Sequence, residues 1–340
     1  MDGELLFSNA IGLPEELVPT LVNSYVCEYA SIKKDGTPIT SLVIPFPGED
    51  GCTVDVNTGL AYTGKAERAR NNPKVSLLYS EPKGMIGERP PVILVYGRAT
   101  VLDADLQVNT DRYARAIRAK SKLFRQIPAF MLQGMVGYIA RIWIAITPIK
   151  VIWWPEGDID KAPLEWLAPK GIRVRSSDPK PKPLPTAHNP LIATQKDWHR
   201  GMAYALDQLG EPVLTVVDAE GYPVPFRVHC GTLDNEGSNL DLFPMMPAEA
   251  KGRACLTFHS IQVRKGEMFS NENLSFIGSV SGDGERAKFK VERQLPSVSF
   301  KRGFMDMLSL GRLMLKMKKR LEVEAERRGQ PVPAVRLQGR

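Results

Sequence analysis

The chain has 340 residues, of which 43% are hydrophobic and 24% are charged, and this composition excludes wholesale disorder and a fibrous repeat. Its 45 basic and 38 acidic side chains give a formal net charge of +7, which suits an anionic partner without identifying one. Four widely spaced cysteines without a C-x-x-C pair argue against a disulfide framework and a cysteine-rich zinc module, and the length suggests about two domains.

The first half consists of short strand-like runs separated by turn residues. Tyr25 to Ile32 and Pro38 to Phe46 are joined by the turn Lys34-Asp35-Gly36-Thr37, so they are predicted to pair as a hairpin. Residue composition predicts the other elements. Further strands are predicted at Cys52 to Val56, Leu60 to Thr63, Val75 to Ser80, Val92 to Leu102 and Ile142 to Trp154, and helices at Ala66 to Asn71, Asp103 to Lys120 and Ala129 to Ala140.

The composition changes after the last of these strands. Eight of the chain's 27 prolines lie between Pro155 and Pro190, which is typical of an extended, semi-rigid spacer. We therefore predict a first domain at residues 1–155, a linker at residues 156–195 and a second domain at residues 196–300.

The second half repeats the order of elements found in the first. Trp198 to Leu209 is predicted to be a helix, followed by strands at Pro212 to Val217 and Pro223 to Cys230. Three short segments recur at similar intervals, which predicts a diverged internal duplication. The matched segments are 35–38 with 220–223, 75–79 with 254–258, and 97–99 with 278–280.

Residues 301–340 form a basic tail. Lys301 to Arg328 is predicted to be an amphipathic helix with its apolar residues on one side. We expect this helix to pack on its own chain or on a second copy in a homodimer. A membrane surface and nucleic acid are the alternative partners of such a helix.

We expect a cytoplasmic protein without stable membrane insertion. The N-terminal residues Met1-Asp2-Gly3-Glu4 are acidic and lack the basic region of a secretory signal. The apolar stretch from Ile127 to Ile149 is interrupted by Arg141, and its second half is strand-like, so we interpret it as buried core.

The sharpest local pattern is Tyr62-Thr63-Gly64-Lys65, followed by a short helical segment that contains Arg68. A strand that ends in a glycine turn before a helix exposes free backbone N–H groups at the helix start. A hydroxyl and two cations beside those donors are typical of a phosphate site, and a capped surface helix with solvated cations is the alternative.

Together with the Asp35-Gly36-Thr37-Pro38 turn, with residues 72–77 and with residues 95–101, this pattern resembles the pyridoxamine 5'-phosphate oxidase-like superfamily of FMN-binding split β-barrels. The resemblance covers the first half clearly and the second half as a weak second copy. It implies a mainly β fold with flanking helices (α+β), built as two tandem split β-barrels of the flavin-binding type.

The resemblance also implies a cofactor site. In that family a hydroxyl residue and a lysine at the turn hold the phosphate of FMN, and the second strand adds an arginine or a small polar residue. No arginine matches in that strand, and this departure argues against pyridoxamine phosphate oxidation. The implied cofactor-binding residues are Thr40, Ser41, Tyr62, Thr63, Gly64, Lys65, Arg68 and Trp153.

Residues 243–251, at the matching turn of the second half, lack the hydroxyl-glycine-lysine cluster, so we expect one phosphate site per chain. His229 and His259 are predicted to lie in strands that could be neighbours, which leaves a haem or two-histidine site as an alternative. Hydrolase, P-loop and Rossmann motifs are absent from the sequence, and neither a metal site nor nucleic-acid binding is expected.

The sequence thus predicts an FMN-dependent oxidoreductase that transfers hydride through its flavin to an unidentified small molecule. The alternatives are a reductase that uses the deazaflavin coenzyme, and a non-catalytic protein that binds a flavin or haem. No side chain is predicted to act as a catalytic acid or base, because the cofactor carries the chemistry.

Overall fold

The computed structural model describes residues 11–85, 87–184, 197–234, 238–244, 251–264, 267–282, 286–296 and 304–336. Within these ranges the chain is mainly β with flanking helices. The helices are α1 (Val18–Asn23), α2 (Gly64–Asn71), α3 (Leu106–Lys120), α4 (Lys122–Gln126), α5 (Ala129–Gly134), α6 (Val136–Ile139), α7 (Trp198–Gln208) and α8 (Phe304–Arg327). The strands are β1 (Cys27–Ile32), β2 (Pro38–Val43), β3 (Phe46–Pro47), β4 (Val54–Gly59), β5 (Lys74–Tyr79), β6 (Val92–Leu102), β7 (Arg141–Trp154), β8 (Leu164–Leu167), β9 (Val213–Val217), β10 (Pro223–Leu233), β11 (Asn239–Pro244), β12 (Gly252–Arg264), β13 (Glu267–Gly282) and β14 (Ala287–Gln294).

The two halves of the chain form two sheets with the same strand order. The first sheet runs β2-β1-β5-β6-β7-β4-β3, and β8 pairs with β7 outside this path. The second is a closed barrel that runs β10-β9-β12-β13-β14-β11 and returns to β10. The first six strands of the first sheet therefore have counterparts in the same order in the second, although only the second closes.

A matched pair of glycines marks the same irregularity in both sheets. The register of β6 against β7 shifts between Tyr96 and Gly97, and that of β13 against β14 shifts between Ile277 and Gly278. A Cβ atom at Gly97 would lie 2.3 Å from the Cγ2 of Ile146, and one at Gly278 would lie 2.0 Å from the carbonyl oxygen of Lys290. Each glycine is thus required by the close approach of the neighbouring strand at a bulge.

The outer faces of the two sheets pack against each other. All six residues of β1 are buried, because one face of the strand covers the first core and the other meets the second domain. Leu78 and Leu94 contact Val213, and Ile39 contacts Cys255. The Thr40 hydroxyl shares a hydrogen bond with the Thr215 hydroxyl, so polar pairs are also enclosed here.

The first part of the expected linker runs along the first domain. β8 pairs with β7, and the Asp178 carboxylate accepts hydrogen bonds from the backbone N–H groups of Asp103, at 2.7 Å, and Ala104, at 2.8 Å. The Thr100 hydroxyl donates to the carbonyl of Arg175 at 2.6 Å. Residues 185–196, the rest of the expected linker, lie outside the described residues.

The α8 helix returns to the first domain, in agreement with the expected packing on its own chain. Met317, Leu321 and Ala325 are buried in the core of the first domain, at the i, i+4 and i+8 positions of one helix face. Arg328 then donates to the Asp103 carboxylate over 2.8 Å. The side chain of Gln330 accepts from the Leu106 N–H at 2.7 Å, at the first residue of α3.

The strand predicted at Leu60 to Thr63 is wrong, since these residues form a turn after β4 ends at Gly59. The Tyr62 N–H donates to the Gly59 carbonyl at 2.8 Å, which closes the turn. Leu60 and Ala61 are buried in the same core cluster as Leu321, a residue of α8. Their apolar character therefore reflects burial in a core to which a distant helix also contributes.

None of the helices in the described residues combines the length and the apolar composition that a bilayer crossing requires.

Candidate functional site

The turn between β4 and α2 brings together the residues of the predicted phosphate site. Ala66 and Ala69 form the buried face of α2, which fixes the helix on the first core. Thr63 occupies the N-cap position, yet its side chain makes no capping hydrogen bond. Its hydroxyl is therefore available to a ligand at the helix start, beside the N–H groups that a first helical turn leaves free.

Lys65 lies in a cationic environment. Burial, reinforced by the positive charges of Arg68 and Arg141, lowers the pKa of Lys65 from 10.5 to about 8. Its ammonium group has no hydrogen-bond or ion-pair partner among the described residues. A half-buried lysine whose nearest charges are positive is stabilised by an anion.

Arg68 is held in place by the first sheet. Its Nε donates to the Ser31 hydroxyl at 2.8 Å, which fixes the guanidinium beside the turn. A Cβ atom at Gly64 would lie 3.4 Å from Arg68 Nη1, so the glycine leaves room for this side chain. Burial lowers the pKa of Arg68. Electrostatic interactions with Tyr29 and with Cys255 of the second domain oppose this shift, so both residues lie near the guanidinium.

Arg141 approaches the turn from the start of β7. Its guanidinium lies over the rings of Tyr113 and Tyr138, 4.5 Å from each centroid, and it donates to the Tyr113 hydroxyl at 3.3 Å. Its Nε is buried without a hydrogen-bond partner. A Cβ atom at Gly59 would lie 2.9 Å from its Nη1, so a larger residue at position 59 would displace the guanidinium.

Arg320 extends this cationic surface from α8. It donates to the carbonyl oxygen of Ala61 at 3.5 Å, at the turn itself. Burial raises the pKa of Tyr62, and the positive charge of Arg320 opposes that rise, so the two side chains are near each other. Lys316 is one helical turn away from Arg320 and exposed, so both lie on one side of α8.

Lys65, Arg68, Arg141 and Arg320 together form what we call the cation cluster. In the described part of the chain, carboxylates pair with other arginines and none pairs with a member of this cluster. Those other pairs include Arg70 with Asp103, Arg112 with Asp55, Arg227 with Glu28, Arg327 with Glu324 and Arg328 with Asp103. The cluster thus presents uncompensated positive charge at a helix start, an arrangement suited to a phosphate or another compact anion.

The other predicted cofactor residues, Thr40, Ser41 and Trp153, do not belong to the β4–α2 turn. Thr40 is buried and its hydroxyl is engaged by Thr215. Ser41 is its neighbour on β2 and points to the opposite face of the sheet, the face of Tyr29. Trp153 packs in the first core at the far end of β7 from Arg141, on the order of 40 Å along an extended strand. Trp153 is therefore not brought to the β4–α2 turn.

Sequence reasoning did not identify Arg141 and Arg320 as site residues. The sequence did contain a pattern that points to Arg141. A single arginine inside an apolar stretch indicates a partly buried charge, and such charges are usually paired or functional. Arg320 had no local signal, since it is one of several cations on α8 and its position depends on how that helix packs.

The two histidines considered for haem or metal are not on neighbouring strands, because β9 lies between β10 and β12. Half-exposed His229 forms a hydrogen bond with Glu211 through Nδ1. Buried His259 instead contacts Glu28 of the first domain, with 2.9 Å between Nε2 and Oε1. The second-half turn expected to lack a phosphate site falls largely on residues 245–250, outside the described residues.

No family model and no curated protein matches this chain. A conserved hypothetical protein from Mycobacterium tuberculosis is similar in structure, with 17% identity and a TM-score of 0.34, over 44% of this chain and 89% of that one. A pyridoxamine 5'-phosphate oxidase-related, FMN-binding protein from Nostoc punctiforme matches with 12% identity and a TM-score of 0.29, over 46% of this chain and 86% of that one. An F420 reductase matches with 14% identity and a TM-score of 0.29, over 41% of this chain and 98% of that one. The structural matches thus include members of the family that the sequence resembles, over less than half of the chain.

Proposed function

We propose that this chain binds the phosphate of a flavin-type cofactor, FMN in the simplest case, and acts as a flavin-dependent oxidoreductase on a small molecule. The observation that carries the proposal is the cation cluster, which lacks a carboxylate partner among the described residues. A phosphate supplies the missing negative charge, and charge-assisted hydrogen bonds to it are among the strong ones.

The residues at the turn fit such a group. Lys65 and Arg68 would hold the phosphate, and Thr63 would add a hydroxyl donor that its own helix does not use. Arg68 is fixed by Ser31 and Arg141 by its two tyrosines, so little side-chain freedom is lost when the anion binds. Preorganised cations of this kind bind more tightly than flexible ones of the same charge.

The flavin itself supplies the hydride transfer when it is bound, and the protein's part is to bind, orient and shield it. The second domain contributes the shield. Arg68 interacts electrostatically with the buried Cys255 of the second domain. The Sγ atom of Cys255 lies 3.5 Å from the Thr257 hydroxyl. We propose that these second-domain residues exclude water from one side of the site, so that both domains of one chain contribute to it. The shared strand order and the matched bulges support an origin of the two sheets by duplication.

A second candidate cofactor is the deazaflavin coenzyme, and the position of Arg320 favours it. Arg320 and Lys316 offer positive charge beyond the residues that one phosphate needs. A cofactor with further anionic groups would use them. Haem has no comparable support, because His229 and His259 already bind carboxylates.

The test starts from the absorption spectrum of the purified full chain and mass identification of any small molecule that heat releases. FMN and riboflavin are then titrated by fluorescence quenching into the wild type, Lys65→Ala and Lys34→Ala. Lys34 is exposed on the first hairpin and serves as a charge-matched control. We expect Lys65→Ala to weaken FMN by about 10-fold to 100-fold, the worth of a hydrogen bond to a charged group.

Riboflavin lacks the phosphate, so its affinity should be the same in the wild type, Lys65→Ala and Lys34→Ala. A chain that binds neither FMN nor a deazaflavin, or binds FMN equally well without Lys65, would contradict the proposal. Turnover with a nicotinamide donor then separates an oxidoreductase from a non-catalytic carrier.

A further inference from the structure

A cavity of about 550 Å³ lies between the two domains, away from the cation cluster. On the first-domain side it is lined by the end of β5 and the turn that follows, including Ser80 and Glu81. On the other side it is lined by β10, β12 and the connection from α7 to β9, including Arg227 and His259. Its size is in the range of small-molecule sites, which occur preferentially at domain interfaces.

A buried carboxylate, that of Glu28, lies behind the lining residues Ser80, Arg227 and His259. The Oε1 atom of Glu28 accepts hydrogen bonds from Ser80 at 2.9 Å, from His259 Nε2 at 2.9 Å and from Arg227 Nη2 at 3.3 Å. The side chains of Glu28 and His259 are fully buried. Nε2 of His259 also lies 3.1 Å from Arg227 Nη2, so its shortest contact is the one with Glu28. In the tautomer that donates from Nε2 to Glu28, Nδ1 is an acceptor.

The N–H groups of Arg227 and the hydroxyl of Ser80 already donate hydrogen bonds, whereas two buried acceptor atoms beside them have no partner among the described residues. Arg227 donates from Nε to Ser80 and from Nη1 to the carbonyl of Glu211, in addition to its contact with Glu28. Nδ1 of His259 and Oε2 of Glu28 are buried without hydrogen-bond partners. The Oε2 atom of Glu81 lies 3.8 Å from Nδ1 of His259 and 3.5 Å from Arg227 Nη2.

The charges around Nδ1 favour a cation. Burial opposes ionisation of Glu28, yet its bonds and charge pairing with His259 and Arg227 hold its pKa below the usual value, so the carboxylate stays charged. Glu28 and Glu81 then face Arg227, and the carboxylate of Glu81 is the charged group nearest to Nδ1 of His259 on the cavity side. Lys83 is exposed at the rim, and Glu211 is paired with the ring of His229.

We propose that this cavity binds a small organic cation, an amine, amidine or guanidine whose N–H groups donate to His259 Nδ1 and Glu81. The body of the ligand would be apolar, because the remaining lining is largely apolar. Those residues are Leu78, Val92, Ile159, Leu209 and Ile261. The site is separate from the proposed flavin site, so its occupation does not depend on whether a flavin binds.

The experiment uses the full chain and two probes with the same body and opposite charge, 2-phenylethylammonium and 3-phenylpropionate. Binding is measured by calorimetry and by the nitrogen chemical shifts of His259, with and without added FMN. We expect the ammonium to bind and to shift Nδ1, and the carboxylate to bind at least ten-fold more weakly.

Three variants test where the cation sits. Glu81→Gln removes the lining carboxylate nearest to Nδ1 of His259 and should weaken the ammonium at least five-fold, whereas Glu88→Gln, at an exposed position outside the lining, should leave it unchanged. Ile159→Trp fills the apolar end without changing charge and should abolish binding. Thermal unfolding of each variant confirms that it is folded. Absence of ammonium binding, equal or tighter binding of the carboxylate, or equal effects of Glu81→Gln and Glu88→Gln would overturn the proposal.

Discussion

His259 of the second domain and Glu28 of the first domain form a hydrogen bond of 2.9 Å across the domain interface, with both side chains fully buried. The contact joins β12 to β1, the strand whose six residues are all buried. Interfaces between domains of one chain are often polar and mobile, whereas a buried carboxylate held by Ser80, Arg227 and His259 tolerates little displacement. The two domains are therefore expected to behave as one cooperative unit.

Glu28→Gln should lower the free energy of unfolding by about 3–5 kcal/mol, because Arg227 and His259 lose their shared buried carboxylate. Chemical denaturation at pH 7, with Glu88→Gln as the control, measures this loss. The pKa of Glu28 is lower folded than the value of 4.5 that it has unfolded, so its contribution is present above pH 4.5 and is lost as the pH falls through the folded pKa. In Glu28→Gln the free energy of unfolding should depend less on pH in this acidic range. The same pH dependence in the variant and the wild type would show that Glu28 does not have a lowered pKa in the folded chain.

The affinity of the chain for FMN should fall as the pH rises above about 8, the value to which burial and two neighbouring arginines lower the pKa of Lys65. Above that pH the unliganded lysine is neutral, so binding the phosphate requires the uptake of a proton. Titrations between pH 7 and pH 10 measure the effect. Lys65→Arg keeps its charge throughout this range and should bind FMN with a flat profile, and a parallel fall in the variant would exclude Lys65 as the cause.

Arg320→Ala should weaken FAD, which carries two phosphates, by at least five-fold more than it weakens FMN. The reason is that Arg320 adds charge at Ala61, beyond the contacts of Lys65 and Arg68. Lys318→Ala is the matched control, since Lys318 is exposed on the same helix and two positions away from Arg320, on another side. Equal losses for the two cofactors would restrict Arg320 to a structural role.

Leu321→Ala should destabilise the first domain by about 2–5 kcal/mol, the usual cost of truncating a buried leucine. Leu321 has no exposed surface and packs in the same core as Leu60 and Ala61. Unfolding followed by tryptophan fluorescence reports mainly on the first domain, because three of the chain's five tryptophans, Trp143, Trp153 and Trp154, are buried in it. Lys318→Ala should be neutral in this assay, and a neutral Leu321→Ala would show that α8 packs elsewhere in solution.

Local sequence patterns predicted the elements whose structure depends on residues close to them in the sequence. β6 has the predicted bounds, because its run of branched and aromatic residues has no competing pattern. The segment from Leu60 to Thr63, predicted as a strand, is a turn, and its two buried apolar residues share a core with α8, which is more than 240 residues later in the chain. Composition indicates that such residues are buried, and it does not indicate what covers them.

In the candidate site, too, only the residues that are close together in the sequence were predictable. Thr63, Gly64, Lys65 and Arg68 are close in sequence, so their shared position at a helix start was predictable. Arg141 and Arg320 reach the turn through the pairing of β4 with β7 and through the packing of α8. The Glu28–His259 pair requires the docking of two domains, and no short pattern encodes that.

The return of α8 to the first domain also sets an order of events during synthesis. Met317, Leu321 and Ala325 belong to the core of the first domain, yet the ribosome makes them after the whole second barrel. At typical translation rates of about 5–20 residues per second, the stretch from residue 184 to residue 317 takes on the order of ten seconds. During that interval the core of the nascent first domain lacks these three residues, and we expect it to be accessible to a ribosome-associated chaperone until α8 emerges.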